Sequence, residues 1–124
     1  VEVRLVSQFC DYLVQKKADK AVSFLNELTD KGFDLQEFTK ALINYLRQVL
    51  IAKIMGPKEA NSIIVGLTKE ELEKLSQQAE SFQESELRKI LNLFLEAENK
   101  MKYASIPQLP LELAIVEATA LTNT

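Results

Sequence analysis

Apolar residues recur along this chain at intervals of three and four positions, which is the spacing of one face of an α-helix. The pattern predicts an all-α chain, folded as a single bundle of five to six helices over residues 1–124. Gly56 and Pro57 end the third helix, and we expect the connector that follows, residues 58–66, to fold onto the bundle as an anchor or a short helical turn. The predicted helices cover about 2–15, 18–31, 35–55, 69–82, 84–103 and 110–121.

Short capping signals indicate where two of these helices begin. Asp34 is followed three residues later by Glu37, and Thr68 by Glu71, which is the spacing of a capping box. Gly32 ends the helix before Asp34, because glycine reaches left-handed backbone angles without strain. We therefore expect the second and third helices to form a tight hairpin. The third, apolar over about half its circumference, should be the centre of the bundle.

The last predicted helix is apolar on two opposite sides. One side holds Leu109, Leu113, Val116 and Ala120, the other holds Leu111, Ile115 and Ala118, and Glu112 and Glu117 lie between them. A surface helix needs only one apolar stripe, so the second side must also be covered, either by the chain itself or by another subunit. The pattern alone favours cover from the chain itself.

Two prolines mark the start of this last helix. Proline is tolerated in the first turn, where backbone N–H groups have no intrahelical partner, but it costs about 3 kcal/mol in a helix interior. Pro107 and Pro110 are three residues apart. We therefore expect the helix to begin at or just before Pro110, with residues 105–109 as an extended lead-in.

The third predicted helix carries two features that core packing does not explain. Lys53 falls within its apolar face, and a buried ammonium needs a carboxylate or a route to water. We expect either that Lys53 or the nearby Arg47 pairs with Glu112 of the last helix, or that each side chain reaches water separately. Ile51 and Met55 fall on the otherwise polar side and are candidate contacts with another protein.

Composition and charge narrow the classes of function. The 124 residues suffice for one domain with a core, and the net charge of −3 supplies no basic field for a nucleic-acid backbone. The sequence has no run of about 18 apolar residues that would predict a membrane span. The single cysteine fits a reducing cytosol, so we expect a cytoplasmic protein. Because the chain begins with Val1 inside a helical pattern, we expect it to be a fragment of a longer protein.

Catalytic and metal sites are not predicted. The chain has no histidine, which removes Ser-His-Asp and Cys-His arrangements and most zinc sites. Residues 56–58, Gly-Pro-Lys, lack the spacing and the glycines of a phosphate-binding loop. Cys10 lies on the apolar face of the first helix and is predicted to be buried. Lys16, Lys17 and Lys20 are predicted to form a solvated surface. We therefore expect no enzymatic activity, cofactor or metal site in this chain.

Several short motifs occur along the chain in an order that resembles a known protein family. Residues 21–28 read Ala-Val-Ser-Phe-Leu-Asn-Glu-Leu, residues 67–72 read Leu-Thr-Lys-Glu-Glu-Leu, and residues 107–116 read Pro-Gln-Leu-Pro-Leu-Glu-Leu-Ala-Ile-Val. This ordered set resembles the third, C-terminal collar domain of the gamma/tau subunit of bacterial DNA polymerase III, the motor subunit of the sliding-clamp loader. The similarity extends from about Leu5 to Leu121.

The resemblance implies a role in assembly. Such subunits carry two N-terminal ATPase domains, absent from these 124 residues, and the C-terminal domains of five subunits pack side by side into a closed collar. ATP and Mg would then bind only in the missing domains. The implied partners are other gamma/tau copies with the delta and delta-prime subunits, and neither a direct nucleic-acid contact nor a membrane is expected.

The candidate interface residues come from the helical pattern. The resemblance favours assigning one side of the last helix to the interface. The candidate interface positions are Leu111, Ile115, Ala118, Ile51 and Met55, and the side with Leu113 and Val116 is left to the core. The rival function is a helical adaptor that binds a partner's peptide in a groove without self-assembly. An enzyme of another type is a more distant alternative.

Overall fold

The computed structural model describes residues 2–121. Its helices are α1 (Val3–Val14), α2 (Ala18–Asp30), α3 (Leu35–Met55), α4 (Pro57–Ile63), α5 (Lys69–Ser81), α6 (Glu84–Met101) and α7 (Gln108–Ala120). Since no strand occurs between residues 2 and 121, the predicted all-α fold is confirmed. The predicted count of five to six helices is too low over this range, which holds seven. The additional helix is α4, because Pro57 occupies a first helical position, where its fixed φ is favourable.

The central helix of the bundle is α3, as its wide apolar face predicts. It packs on α1, α2, α4, α5 and α6. Phe38, Leu42, Leu46 and Val49 of this helix are completely buried. Phe38 meets Phe9 of α1 edge to face, with the ring centroids 5.4 Å apart. Burial of each large apolar side chain contributes about 1.5–3 kcal/mol, so this face is a main source of stability.

The helix starts of α5 and α3 follow the capping signals. The Glu71 N–H donates to Thr68 Oγ1 at 3.1 Å, and the Thr68 N–H donates to the Glu71 carboxylate at 2.8 Å, which confirms the capping box. Asp34 accepts the N–H of Glu37 at 3.3 Å. The Glu37 carboxylate, however, lies 3.5 Å from Lys40 Nζ, so α3 has an aspartate cap without the reciprocal bond of a full box.

The turn between α2 and α3 forms at the predicted glycine. The Phe33 N–H donates to the Leu28 carbonyl at 2.9 Å, and the Gly32 N–H donates to the Thr29 carbonyl at 3.0 Å. These two bonds define a Schellman motif, whose glycine position has a positive φ. Gly32 has a φ of 85°. The chain therefore leaves α2 in a fixed direction and enters α3 after only four residues.

A buried polar network joins α1, α3 and α5. The Tyr45 hydroxyl donates to Gln78 Oε1, and Gln78 Nε2 donates to the Ser7 carbonyl and to Asp11 Oδ1, both at 2.9 Å. Lys74 Nζ lies 2.8 Å from the other Asp11 oxygen. Burial raises the pKa of Tyr45 above its usual range, so the phenol stays protonated and keeps its donor. The network fixes how these three helices are aligned.

The last helix begins earlier than the prolines predict. Pro107 already has helical backbone angles, with φ −60° and ψ −26°, and α7 begins at Gln108. The prediction that residues 105–109 are extended is therefore wrong for residues 107–109, which have helical angles or belong to α7. Pro110 is the third residue of α7, where a backbone N–H would have no intrahelical acceptor, so the proline removes no hydrogen bond there.

Candidate subunit interface

One of the two apolar sides of α7 is buried in the chain's own core. Leu111 and Ile115 have no exposed surface, and Ala118 is 1% exposed. The helices on which α7 packs are α6, α2 and α1. A side chain that is fully covered within its own chain has no surface left for a second subunit. The assignment of Leu111, Ile115 and Ala118 to the interface is therefore corrected, and these residues belong to the core.

The opposite side of α7 faces solvent. Leu109, Leu113 and Val116 are 47%, 56% and 54% exposed, and Ala120 is also exposed. These four residues follow at intervals of four, three and four positions, so they lie on one line along the helix. We name them the α7 outer stripe. The prediction that Leu113 and Val116 belong to the core is wrong.

Small residues mark the buried side of α7. Ala114 and Ala118, one helical turn apart, are both buried, and so is Ala97 of the neighbouring α6. Small side chains let two helix backbones approach closely, and the large side chains of the outer stripe would hold them apart. Because the two sides of α7 are similarly apolar, this pair of alanines was the feature of the sequence that indicated the buried side.

The remaining candidate interface residues lie on the surface of α3. Ile51 is half-buried and Met55 is exposed, so both stay predicted interface positions. Ile54, which the periodic pattern assigns to the apolar face, is 62% exposed. Ile51 and Ile54 lie on the same side of α3 as Arg47, away from the buried Val49. This end of α3 thus presents apolar side chains to solvent.

The proposed pairing of Glu112 with α3 is not formed in the chain. Lys53 and Arg47 are exposed, Glu112 is half-buried, and none of the ion pairs found among residues 2–121 joins them. The reason is that α7 packs on α6, α2 and α1. Lys53 lies beyond the last buried residue of α3, Ala52, so its ammonium reaches water. The alternative, separate access to water, therefore holds for Lys53.

An ion pair between an exposed lysine and a buried glutamate holds the far end of α7. Lys16 Nζ lies 2.6 Å from Glu86 Oε2, and it also donates to the carbonyl of Leu121, just beyond α7. Glu86 is buried at the start of α6, and Lys16 has a φ of 58°, which is unusual for a residue other than glycine. Lys16, Lys17 and Lys20 are all exposed, as predicted, and the Lys16 ammonium is in addition paired with the buried Glu86 carboxylate. Lys16 connects α1, α6 and the end of α7.

A shallow groove runs beside the α7 outer stripe, between α6 and α7. Its wider part has a volume of about 510 Å³ and lies beside Leu93, Glu117 and Leu121. A narrower part, of about 90 Å³, continues past Leu93 and Glu117 to Pro110 and Leu113. Apolar and acidic residues thus occur side by side on this surface.

The remaining side chains that could take part in chemistry are a single thiol and scattered carboxylates. Cys10 is completely buried, as predicted, and burial raises the pKa of its thiol, so the thiolate needed for nucleophilic attack does not form at neutral pH. No cluster of potential metal ligands is present among residues 2–121. In the same range, no helix combines the length and the apolar character needed to cross a bilayer.

Comparison with known proteins agrees with this all-helical fold. The DNA clamp loader delta protein of Bacillus subtilis has a similar structure, with a TM-score of 0.81 over 96% of this chain and 20% sequence identity. The chain spans 37% of the length of that protein. No curated protein sequence matches the chain at a significant level. The family model for DNA polymerase III subunits gamma and tau domain III matches residues 3–124. The chain therefore belongs to the domain III family of the gamma and tau subunits of DNA polymerase III, a family of non-catalytic helical domains of the clamp loader.

Proposed function

We propose that this domain assembles the clamp loader by packing the α7 outer stripe against a neighbouring subunit. In this role it holds ATPase domains of the parent protein together in a collar while they load the sliding clamp, and it does not hydrolyse ATP. The observation that carries the proposal is the two-sided α7, which has one side in the core and a line of exposed leucine and valine on the other.

The exposed stripe is large enough to contribute to binding. Leu109, Leu113 and Val116 each keep about half of their surface in water. Removing such side chains from water contributes roughly 25 cal/mol per Å² of apolar surface. Part of this gain offsets the loss of translational freedom on association. The partners proposed from the family are other gamma/tau copies and the delta and delta-prime subunits.

Leu113→Glu should prevent this assembly without unfolding the chain. Leu113 is 56% exposed, so a carboxylate there stays in water in the isolated domain but would be buried unpaired in the interface. We expect incorporation into complexes with delta and delta-prime to weaken at least about tenfold, since such losses are typical of central interface residues. Size-exclusion chromatography with light scattering measures the complexes, and circular dichroism checks the fold.

Leu95→Glu is the matched control for this experiment. Leu95 of α6 is 49% exposed, and its helical position is opposite Leu93 and Ala97, which line the groove with α7. It therefore has a similar exposure but lies outside the stripe. Normal assembly of Leu113→Glu, or equal losses in both variants, would show that the stripe is not the interface. A wild-type domain that joins neither itself nor the other subunits would contradict the proposed function.

An adaptor that binds a peptide is the second candidate, and the groove between α6 and α7 favours it. That groove has a volume of about 510 Å³, and its lining includes apolar, acidic and basic side chains such as Leu93, Glu117 and Lys89. An adaptor would take up one peptide per chain and stay a monomer in the presence of the other subunits. The mass of the complex measured by light scattering therefore distinguishes the two functions.

A further inference from the structure

A second exposed stripe runs along α3. Its residues are Ile43, Arg47, Leu50, Ile51 and Ile54, and we name them the α3 outer stripe. Arg47 and Ile54 are exposed, and the other three are half-buried at the edge of the core. The spacing of three and four positions places them on one side of the helix. Each chain thus carries two separate apolar stripes, one on α7 and one on α3.

The two stripes carry opposite charges. The charged residues of α7 are both acidic, Glu112 and Glu117, and they flank its outer stripe. The charged residue within the α3 outer stripe is basic, Arg47. Among residues 2–121, neither Arg47 nor Glu112 takes part in an ion pair. Both charges are therefore available to a partner molecule.

Of the two acids on α7, Glu112 is the better partner for a second molecule. Glu117 lines the groove between α6 and α7, together with Lys89 in one part and Lys100 in the other. Its field is therefore partly balanced within the chain. Glu112 lies on the other flank of the stripe and is half-buried beside it. A cation brought to this flank would meet a carboxylate already partly removed from water.

We propose that the α7 outer stripe of one copy docks on the α3 outer stripe of a second copy, with Glu112 of the first copy paired with Arg47 of the second. This proposal rests on the proposed function and names the partner surface. Because the two stripes differ, the contact is head-to-tail, and each copy keeps one free stripe for the next neighbour. The pair predicted within one chain is thus formed between two chains.

Association of two isolated copies should be weak. The α7 outer stripe is about 17 Å long, at 1.5 Å per residue. A contact of this length buries less surface than the roughly 1,600 Å² of a stable interface. We expect dissociation constants of about 10 µM or weaker for one contact. Sedimentation equilibrium from about 10 µM to about 1 mM covers this range. The chain has its own closed core, so the measurement uses the 124-residue chain itself.

Charge reversal tests the pairing. Arg47→Glu places two carboxylates together in the contact, and Glu112→Arg places two guanidinium groups together. We expect each variant alone to associate at least about tenfold more weakly than wild type, because like charges at a docked interface repel. An equimolar mixture of the two variants should recover association, because one contact then keeps the native pair and the next holds the reversed pair. Lys53→Glu, on the same helix but outside the stripe, should associate like wild type.

The outcomes separate this inference from the proposed function. A wild-type chain that stays monomeric up to about 1 mM would overturn self-docking. Single variants that associate like wild type, or a mixture that does not recover, would overturn the pairing of Arg47 with Glu112. In these cases the proposed function still stands if the domain joins delta and delta-prime and Leu113→Glu prevents this. Normal assembly of Leu113→Glu would overturn the proposed function itself.

Discussion

At the scale of single residues, Lys16 combines a strained backbone with an ion pair to a buried carboxylate. Its φ of 58° occurs at the position after α1 where glycine is usual, because the Lys17 N–H donates to the Tyr12 carbonyl in the same bond pattern that ends α2. Lysine is disfavoured at this angle by about 1 kcal/mol. Its ammonium, however, is 2.6 Å from the buried Glu86 carboxylate. The side chain explains why a lysine occupies this position.

Replacing Lys16 should reveal these two opposing effects. Lys16→Ala keeps the strain and leaves Glu86 without its cation, which costs about 3–5 kcal/mol in a buried site. Because Lys16 is partly exposed, we expect the lower end of that range. Lys16→Gly removes the strain and should be about 1 kcal/mol more stable than Lys16→Ala, but still below wild type. Urea unfolding measures all three.

Lys20→Ala is the control for this series, because Lys20 belongs to the same basic cluster but is exposed and should change stability by less than about 0.5 kcal/mol. If Lys16→Gly proved more stable than wild type, the ion pair with Glu86 would be weaker than the backbone strain. That result would remove the reason for a lysine at this position.

The buried thiol of Cys10 and the buried phenol of Tyr45 predict that the chain loses stability in alkaline solution. Burial raises the pKa of the Cys10 thiol and of the Tyr45 phenol in the folded chain. The same groups ionise at about pH 8.5 and about pH 10 when the chain is unfolded. The folded state therefore holds more protons above pH 8.5 or so, and stability falls as the pH rises, by up to about 1.4 kcal/mol per pH unit for each group. Below that pH their full contribution is present.

Urea unfolding between about pH 7 and pH 10 tests this dependence on pH. Cys10→Ala removes the thiol and should flatten the decline between about pH 8.5 and pH 10, whereas Tyr45→Phe should leave that part unchanged. Both variants lose some stability at every pH through lost packing or hydrogen bonds, so the slope is the quantity compared. An equally steep decline in Cys10→Ala would mean that the thiol is not the group responsible.

At the scale of elements, the orientation of α7 depends on which alanines are buried. Ala118 is 1% exposed and Ala120 is exposed, two positions further along the same helix. Ala118→Leu should overpack the contact with the core and cost about 1–3 kcal/mol. Ala120→Leu adds the same atoms on the outer stripe and should leave stability nearly unchanged. Thermal unfolding compares the two, and the reverse order would mean that α7 is turned the other way.

The sequence predicts most elements but not the sides of α7. The limits of α3, Leu35–Met55, and the capping box of Thr68 with Glu71 follow from local signals: a helical period, a cap and a stop. The orientation of α7 depends on contacts with helices distant in sequence. Because its two sides are similarly apolar, the helical period does not tell which side is buried. Small residues such as Ala114 at the α6 contact carry that information instead.

Two further features of the candidate site could be identified only from the folded structure. The link from Lys16 to Glu86 joins positions 70 residues apart, and nothing near either residue in sequence predicts it. The exposure of Lys53 follows from its place beyond Ala52, the last buried residue of α3, and a helical period does not show where burial ends. Family resemblance, in contrast, was readable from the order of short motifs, and the family model confirms it.

At the scale of the whole molecule, stability and the proposed binding depend on different surfaces. The buried apolar residues form one contiguous core that reaches from Leu5 to Ala118. Within residues 2–121, no buried side-chain nitrogen or oxygen lacks a hydrogen-bond partner. The exposed residues of the α7 and α3 outer stripes lie outside this core. Substitutions of these exposed residues are therefore suited to testing assembly without unfolding the domain.

The two-sided packing of α7 has a consequence for how accurately a ring can close. In the proposed collar, the direction in which one subunit meets the next is set by the tilt of α7, and that tilt depends on how closely Ala114 approaches α6 beside Ala97. A small error in tilt is repeated at every contact, so it accumulates around the ring. A core substitution too mild to unfold the domain would then leave a gap at the last joint, and the loader would fail as a whole while each subunit stayed folded.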